Sequence, residues 1–300
     1  MASKDYLDLQ RQRVEDAIER ILPADGTRPA ILNEAIRYSV LSGGKRLRPV
    51  LCVTASEAVA GPEGDADAAL NAAVAIEFLH SYTLIHDDLP AMDNDLIRRG
   101  QPTVHAKYGE ALAILAGDAL QALAFETASH PTGLPLDRSL RIVRELAAAA
   151  GPAGVVGGQI EDIGSAGAID SERLAYIQRH KTADLFRAAL RMGAIAGGGD
   201  EEAVFAMGNF GDYLGIAFQI VDDLLDAPKG MDVASFDETT CLQLWTRDEA
   251  IAQARLCTSE AVAALSRIKG SPALAAMADL AHSLLTRVEE ATNQEPGTRN

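Results

Sequence analysis

The sequence has few cysteines, few aromatic residues and fewer basic than acidic residues. Three cysteines, Cys52, Cys241 and Cys257, occur in 300 residues without a C-x-x-C pair. This pattern indicates free thiols in a reducing compartment rather than a disulfide framework. Lysine and arginine total 27 against 43 aspartates and glutamates, a net charge of −16, which argues against nucleic acid or an anionic membrane as partner. A phosphate ligand would need locally gathered cations or a metal ion.

Long apolar segments are missing as well. No segment reaches 18 apolar residues, since the longest candidate, near 111–125, is interrupted by Asp118 and Gln121. The first 17 residues hold no apolar signal core. We therefore expect a soluble, cytoplasmic protein.

Helical patterning runs through almost the whole chain. Aromatic residues are 5% of the sequence, and alanine and leucine dominate the hydrophobic 48%, which is typical of helices rather than strands. Apolar spacing and flanking glycines and prolines predict a helix opening at Pro49 and others at 5–22, 30–41, 67–88, 109–129, 137–150, 171–196, 201–225, 247–266 and 272–291. No run alternates as a strand would. The prediction is a single all-α domain over 1–300, with a frayed tail at 292–300.

Two aspartate clusters follow apolar helical stretches: Asp87, Asp88 and Asp93, then Asp222, Asp223 and Asp226. Asp222 and Asp226 share one helix face, with Gln219 one turn earlier. Carboxylates this close repel each other unless a cation joins them. Mg²⁺ combines a few carboxylates with water and substrate phosphates. One such cluster would be interpreted as a solvated helix end, but two on apolar helices favour magnesium.

Basic residues gather in three places: Lys45, Arg46 and Arg48 in GGKRLRP, Arg98 and Arg99 in RRGQPTVH, and Lys181, beside Thr182, in RHKTADLF. Each alone is typical of a solvated surface charge. Together, beside glycine-rich turns in an acidic chain, they indicate anion sites, because arginine gives phosphate a bidentate grip and lysine a point charge.

Five strings carry a resemblance to a known family. GGKRLRP, HSYTLIHDDLPAMDNDLIRRGQPTVH, GGQIEDI, HKTADLFRAA and GIAFQIVDDLLD occur in this order. Together they resemble the trans-isoprenyl diphosphate synthase (polyprenyl synthetase) family, most of all its bacterial farnesyl/geranylgeranyl diphosphate synthase branch. The similarity is strongest over residues 30–226. It implies a helical bundle around a deep central cavity, a homodimer, and two aspartate clusters that face each other across the cavity mouth.

The resemblance also implies roles for the residues that match the family motifs. Asp87 and Asp93, supported by Asp88, would hold two Mg²⁺ ions on the allylic diphosphate. Asp222 would hold a third ion, with Asp223 and Asp226 in or near its coordination shell. The allylic substrate would contact Arg98, Lys181, Thr182 and Gln219, and isopentenyl diphosphate would contact Lys45, Arg48, His80 and Arg99.

The residues before Asp87 bear on product length. Tyr82 lies five residues upstream, about 7.5 Å along a helix axis, and Thr83 lies four upstream. In the resembled family a bulky aromatic here limits the cavity and favours the C15 product, farnesyl diphosphate, whereas smaller residues accompany C20 or longer products. An ordinary core position is the alternative for Tyr82.

One segment departs from the family pattern. After the second cluster, the loop at 227–240 is shortened. Lys229 could stand for the first of two expected lysines and bind substrate, but Asp237 falls near the place of the second. This charge reversal leaves open a low-activity or regulatory subunit on the same fold.

We therefore predict a magnesium-dependent prenyltransferase that condenses isopentenyl diphosphate with dimethylallyl or geranyl diphosphate to farnesyl diphosphate, with a geranylgeranyl diphosphate (C20) synthase as the alternative. A metal phosphohydrolase built on the His86-Asp87 pair is a weaker rival. It would need further histidine ligands, and the nearest upstream is His80 on the same helix.

Overall fold

The structure, a computed structural model, describes residues 2–62, 64–65, 67–130, 133–164, 169–227 and 239–293. This part of the chain is almost entirely helical, as the composition predicts. The helices are α1 (Ser3–Ile21), α2 (Ala30–Leu41), α3 (Leu47–Ala60), α4 (Leu70–Asp87), α5 (Val104–Tyr108), α6 (Glu110–Ser129), α7 (Leu136–Ala150), α8 (Val155–Ile163), α9 (Ser171–Ile177), α10 (Asp184–Ala196), α11 (Glu201–Asp226), α12 (Arg247–Ala264) and α13 (Pro272–Asn293). A π-helical segment, Gln178–Ala183, joins α9 to α10, and 3₁₀ turns lie at Cys241–Gln243 and Leu265–Arg267.

The observed elements differ from the predicted ones in a few places. Helix α8 was not predicted, because its glycine pair weakens the helical signal. The predicted helix at 171–196 contains the π-helical segment. A small antiparallel hairpin pairs β1 (Ile97–Arg98) with β2 (Gln101–Pro102), and strands this short leave no alternating pattern. Helix α13 reaches Asn293, so the predicted tail is helical at its start.

Helix α10 is the central element of the core. It is buried along nearly its whole length and packs against α3, α4, α7 and α11. Glycines allow the closest crossings: a Cβ on Gly193 would lie 2.0 Å from the carbonyl oxygen of Cys52 in α3. A Cβ on Gly215 of α11 would lie 2.5 Å from the Cα of Ala183. These contacts set the position of α3 relative to α10 and that of α11 relative to the π-helical segment.

In the part of the chain that the structure describes, two helices, α6 and α11, have the length and apolar composition of a membrane span. This is weak evidence, because a core helix of a soluble protein meets the same criteria. Helix α11 is mostly buried inside the fold, whereas α6 exposes Ile114 and Leu115. The apolar character of α11 is therefore explained by the core.

Candidate active site

The first aspartate cluster lies where α4 ends. Asp87 is the last residue of α4, and the backbone N–H of Asp93 donates to the carbonyl of Asp87 at 2.9 Å, which folds the following turn back onto the helix end. Asp88 is buried and accepts a hydrogen bond at 2.6 Å from the Nε of Arg98. Negative charge is disfavoured at a helix C-terminus unless a cation lies nearby, so this cluster favours cation binding.

The second cluster ends α11 in the same manner. The Asp223 carboxylate accepts from the Gln219 side-chain amide and from the backbone N–H of Cys241, both at 2.8 Å. Gln219 in turn accepts from the Thr182 hydroxyl at 2.6 Å. These bonds connect the π-helical segment, α11 and the residues that follow the loop. Asp226 is exposed and Asp222 half-buried, so neither carboxylate is enclosed by the fold.

Lys181 lies on the π-helical segment, a feature often found at functional sites. Its Nζ is 2.5 Å from the Oδ2 of Asp162 on α8. Burial opposes its charge, but the carboxylates of Asp162, Asp87 and Asp93 raise its pKa above the usual value. The ammonium group is therefore within electrostatic reach of the first cluster.

A second set of cations surrounds a cavity of about 360 Å³. Its lining includes Lys45, Arg46, Arg48, Glu77, His80 and Arg99. The Arg48 guanidinium lies 4.4 Å from the Phe186 ring centroid and 3.4 Å from the Nε2 of His80. Burial, and then the charge of Arg48, hold the pKa of His80 well below its usual value. A neutral imidazole among cations suits an anion-binding cavity.

Lys181 and Lys45 lie near different aspartates. Burial raises the pKa of Asp87 to about 7, and the charges of Lys181 and Arg98 act against this rise. Burial also raises the pKa of Asp222, and here Lys45 gives the main opposing effect. Burial lowers the pKa of Arg48 to about 10, against the charges of Glu77 and Asp222. The structure thus brings the cavity near Asp222 and the Lys181 site near Asp87.

The donor set fits magnesium when a ligand shares the coordination. In the part of the chain that the structure describes, no three His, Cys, Asp or Glu side chains are close enough to form a metal site by themselves. Mg²⁺ commonly takes one or two carboxylates and fills its octahedron with water and phosphate oxygens. Asp87, Asp93 and Asp222 supply hard oxygen donors of this kind. Asp88 has one oxygen occupied by Arg98 and suits a supporting position.

Tyr82 and Thr83 are both buried in α4. The Tyr82 ring packs edge-to-face on His86, with 5.2 Å between centroids. His86 Nε2 lies 3.1 Å from the carbonyl oxygen of Ile114 in α6. The Thr83 hydroxyl donates to the His80 carbonyl at 2.8 Å. Tyr82 is therefore near α6, one turn before the first cluster, and His86 is engaged locally.

Some predicted residues lie outside the described part of the chain, and other residues were overlooked. Lys229 and Asp237 fall within 228–238, which is outside the described residues. The sequence alone does not show that Asp162 pairs with Lys181, nor that Arg46 and Glu77 form a buried ion pair. The sequence feature that could have indicated the pair with Lys181 is the position of Asp162, one helical turn after Gly158.

Comparisons with known proteins identify the family. The family profile described as polyprenyl synthetase matches residues 29–234. A geranylgeranyl diphosphate synthase of Cyanophora paradoxa is 41% identical over 85% of this chain and 87% of its own. A heterodimeric geranylgeranyl pyrophosphate synthase large subunit of Arabidopsis thaliana is 44% identical over 75% of this chain. The chain spans about three fifths of the length of that relative.

A solved structure gives the same result at the level of the fold. The FPP/GFPP synthase of Zymomonas mobilis superposes with a TM-score of 0.84 and 36% identity, covering 95% of this chain and 100% of its own. The profile match includes both aspartate clusters, and the structural match extends over nearly the whole chain. The all-α fold predicted from the composition is therefore that of the isoprenyl synthases, and the chain belongs to the polyprenyl synthetase family.

Proposed function

We propose that this protein is a magnesium-dependent short-chain trans-prenyltransferase, which joins isopentenyl diphosphate to an allylic diphosphate. The carrying observation is that basic residues lie beside both carboxylate clusters, one at the end of α4 and one at the end of α11. Lys181 is within electrostatic reach of Asp87, and Lys45 of Asp222. Two diphosphate substrates require two sites at which basic residues lie beside carboxylates.

The proposed roles follow from this arrangement. Asp87, Asp93 and Asp222 would hold up to three Mg²⁺ ions, with Asp88 and Asp226 supporting them. When bound, Mg²⁺ neutralises charge that develops on the leaving diphosphate. Lys181 and Arg98 would donate to the allylic diphosphate, beside Thr182 and Gln219. Lys45, Arg48, His80 and Arg99 would bind isopentenyl diphosphate, and Lys229 would also bind substrate.

The carbon chemistry needs no nucleophilic side chain. Ionisation of the allylic C–O bond gives a carbocation and pyrophosphate, the isopentenyl double bond attacks the carbocation, and the resulting cation loses a proton to the pyrophosphate. The protein must exclude water from the cation while this occurs. The apolar residues of α4 that precede Asp87 would supply such a surface.

We propose geranylgeranyl diphosphate (C20) as the main product, because both curated relatives described above are named geranylgeranyl synthases. Farnesyl diphosphate (C15) is the second candidate. The buried aromatic ring of Tyr82, one turn before Asp87, favours it.

We further propose a cytoplasmic homodimer, in which the exposed Ile114 and Leu115 of α6 would contact a second copy.

The direct test is incubation of the purified protein with Mg²⁺, isopentenyl diphosphate and dimethylallyl, geranyl or farnesyl diphosphate in turn. Products are dephosphorylated and separated by chromatography. We expect condensation that a chelator abolishes, with C20 as the longest main product. Absence of any condensation would instead favour the regulatory-subunit alternative, and release of phosphate without condensation would favour a hydrolase.

A further inference from the structure

The GGQIEDI string on α8 lies beside the proposed allylic site, but the proposed function gives its residues no role. Gly158 brings the backbone of α8 against the π-helical segment, since a Cβ there would lie 2.2 Å from the backbone nitrogen of Lys181. Asp162 follows one helical turn later and reaches the Lys181 ammonium group at 2.5 Å. The close approach of α8 to the π-helical segment and the Lys181–Asp162 ion pair thus occur on the same face of α8.

Asp162 also interacts electrostatically with the first aspartate cluster. Its charge contributes to the environment of Asp93 as well as that of Lys181. Its side chain is 19% exposed and that of Lys181 29%, so the pair is largely shielded from solvent. The preceding residue, Glu161, points elsewhere and pairs with Arg173 of α9 at 3.2 Å, with a side chain 45% exposed.

We infer that Asp162 is a positioning residue, which acts through Lys181 by holding its ammonium group ready beside Asp87 and Asp93 for the allylic diphosphate. A lysine side chain has several rotatable bonds and loses considerable rotamer freedom when it is ordered. An anchor that orders it before the substrate arrives lowers the cost of binding. The inference rests on the proposed function, because it concerns the affinity for one of its two substrates.

The test compares Asp162→Asn with Glu161→Gln, which removes the same charge from the same helix one residue away. Binding of a non-ionisable allylic thiolodiphosphate with Mg²⁺ is measured by calorimetry, and KM is measured for both substrates. We expect Asp162→Asn to weaken analogue binding and to raise the allylic KM by about tenfold, the range of a charge-assisted contact. The isopentenyl KM and the values for Glu161→Gln should stay within about twofold.

A double-mutant cycle then shows whether Asp162 acts through Lys181. In a Lys181→Met background, Asp162→Asn should change analogue binding by less than about twofold. An equal loss in both backgrounds, or tighter binding in the single variant, would overturn the inference. Melting curves identify a misfolded variant, and in that event Asp162→Glu provides the same comparison. If the wild type neither binds the analogue nor condenses substrates, the proposed function fails, whereas normal wild-type behaviour with an unaffected Asp162→Asn contradicts the inference alone.

Discussion

The three acids of the first cluster have different surroundings although they lie within seven residues of sequence. Asp88 is buried against Arg98, whereas Asp93 is exposed and tied to the helix end only through its backbone. Asp87 is half-buried, and burial raises its pKa to about 7. A carboxyl group in this condition gains from a nearby cation, so Asp87 is the residue at which the proposed metal binding is best tested.

The first prediction concerns Asp87→Ala. Removing this oxygen donor should lower turnover by at least about 10²-fold, because stabilisation of the leaving charge is commonly the largest catalytic effect. The melting temperature should stay within a few degrees or rise, since a repelling acid is lost. Steady-state kinetics at saturating Mg²⁺ measures the effect, with Asp8→Ala on the surface of α1 as control. Turnover near the wild-type value would rule out the metal assignment.

Tyr82→Ala tests the control of product length. The ring is buried one turn before Asp87, and its removal leaves a void that the neighbours fill only in part. If Tyr82 limits the growing chain, the variant should shift the product distribution by one prenyl unit or more. Chromatography of dephosphorylated products measures this, with Tyr108→Ala of α5 as control. Lower stability with an unchanged product distribution would make Tyr82 an ordinary core residue.

At the scale of elements, the site depends on how closely α8, the π-helical segment and α11 approach. The sequence predicts that Asp222 and Asp226 share a helix face, because that follows from helical periodicity alone. It does not predict the Lys181–Asp162 pair. Those residues are 19 positions apart, and their meeting depends on the π-helical turn and on the absence of a side chain at Gly158. Local patterns do not determine such tertiary approaches.

Gly158→Ala tests this dependence. The added methyl would lie 2.2 Å from a backbone nitrogen, so α8 and the π-helical segment must separate. Overpacking of this kind costs about 1–3 kcal/mol, and it should also weaken allylic binding by displacing Lys181. Gly270→Ala is the control, because nothing lies within 4 Å of its Cβ position. Equal melting temperatures and equal allylic KM values for the two variants would contradict the described packing.

At the scale of the whole molecule, α10 holds together the helices that carry the site, and one buried ion pair supports the cavity. Arg46 and Glu77 each expose about 4% of their side chains, and Arg46 also donates to the carbonyl of Val40 at 2.6 Å. The sequence predicted Arg46 only as a member of a basic group. The structure shows it turned inward, where it connects the turn after α2 to α4.

Glu77→Ala should therefore unfold more easily than its surface counterpart. Removing one partner of a buried pair leaves an uncompensated charge and costs about 3–5 kcal/mol. Glu161→Ala breaks a more exposed pair with Arg173 and should cost about 1 kcal/mol or less. Urea unfolding of both variants gives the two free energies. A cost for Glu77→Ala no greater than that of the surface variant would show that the pair does not support the cavity.

The KM values of Arg48→Ala and Lys181→Ala show whether the two cation sets serve two different diphosphates. Each variant removes one charge-assisted phosphate contact, worth about 1.5–3 kcal/mol. The account predicts that Arg48→Ala raises mainly the isopentenyl diphosphate KM and Lys181→Ala mainly the allylic KM, each by at least about tenfold. Equal increases for both substrates in both variants would contradict it.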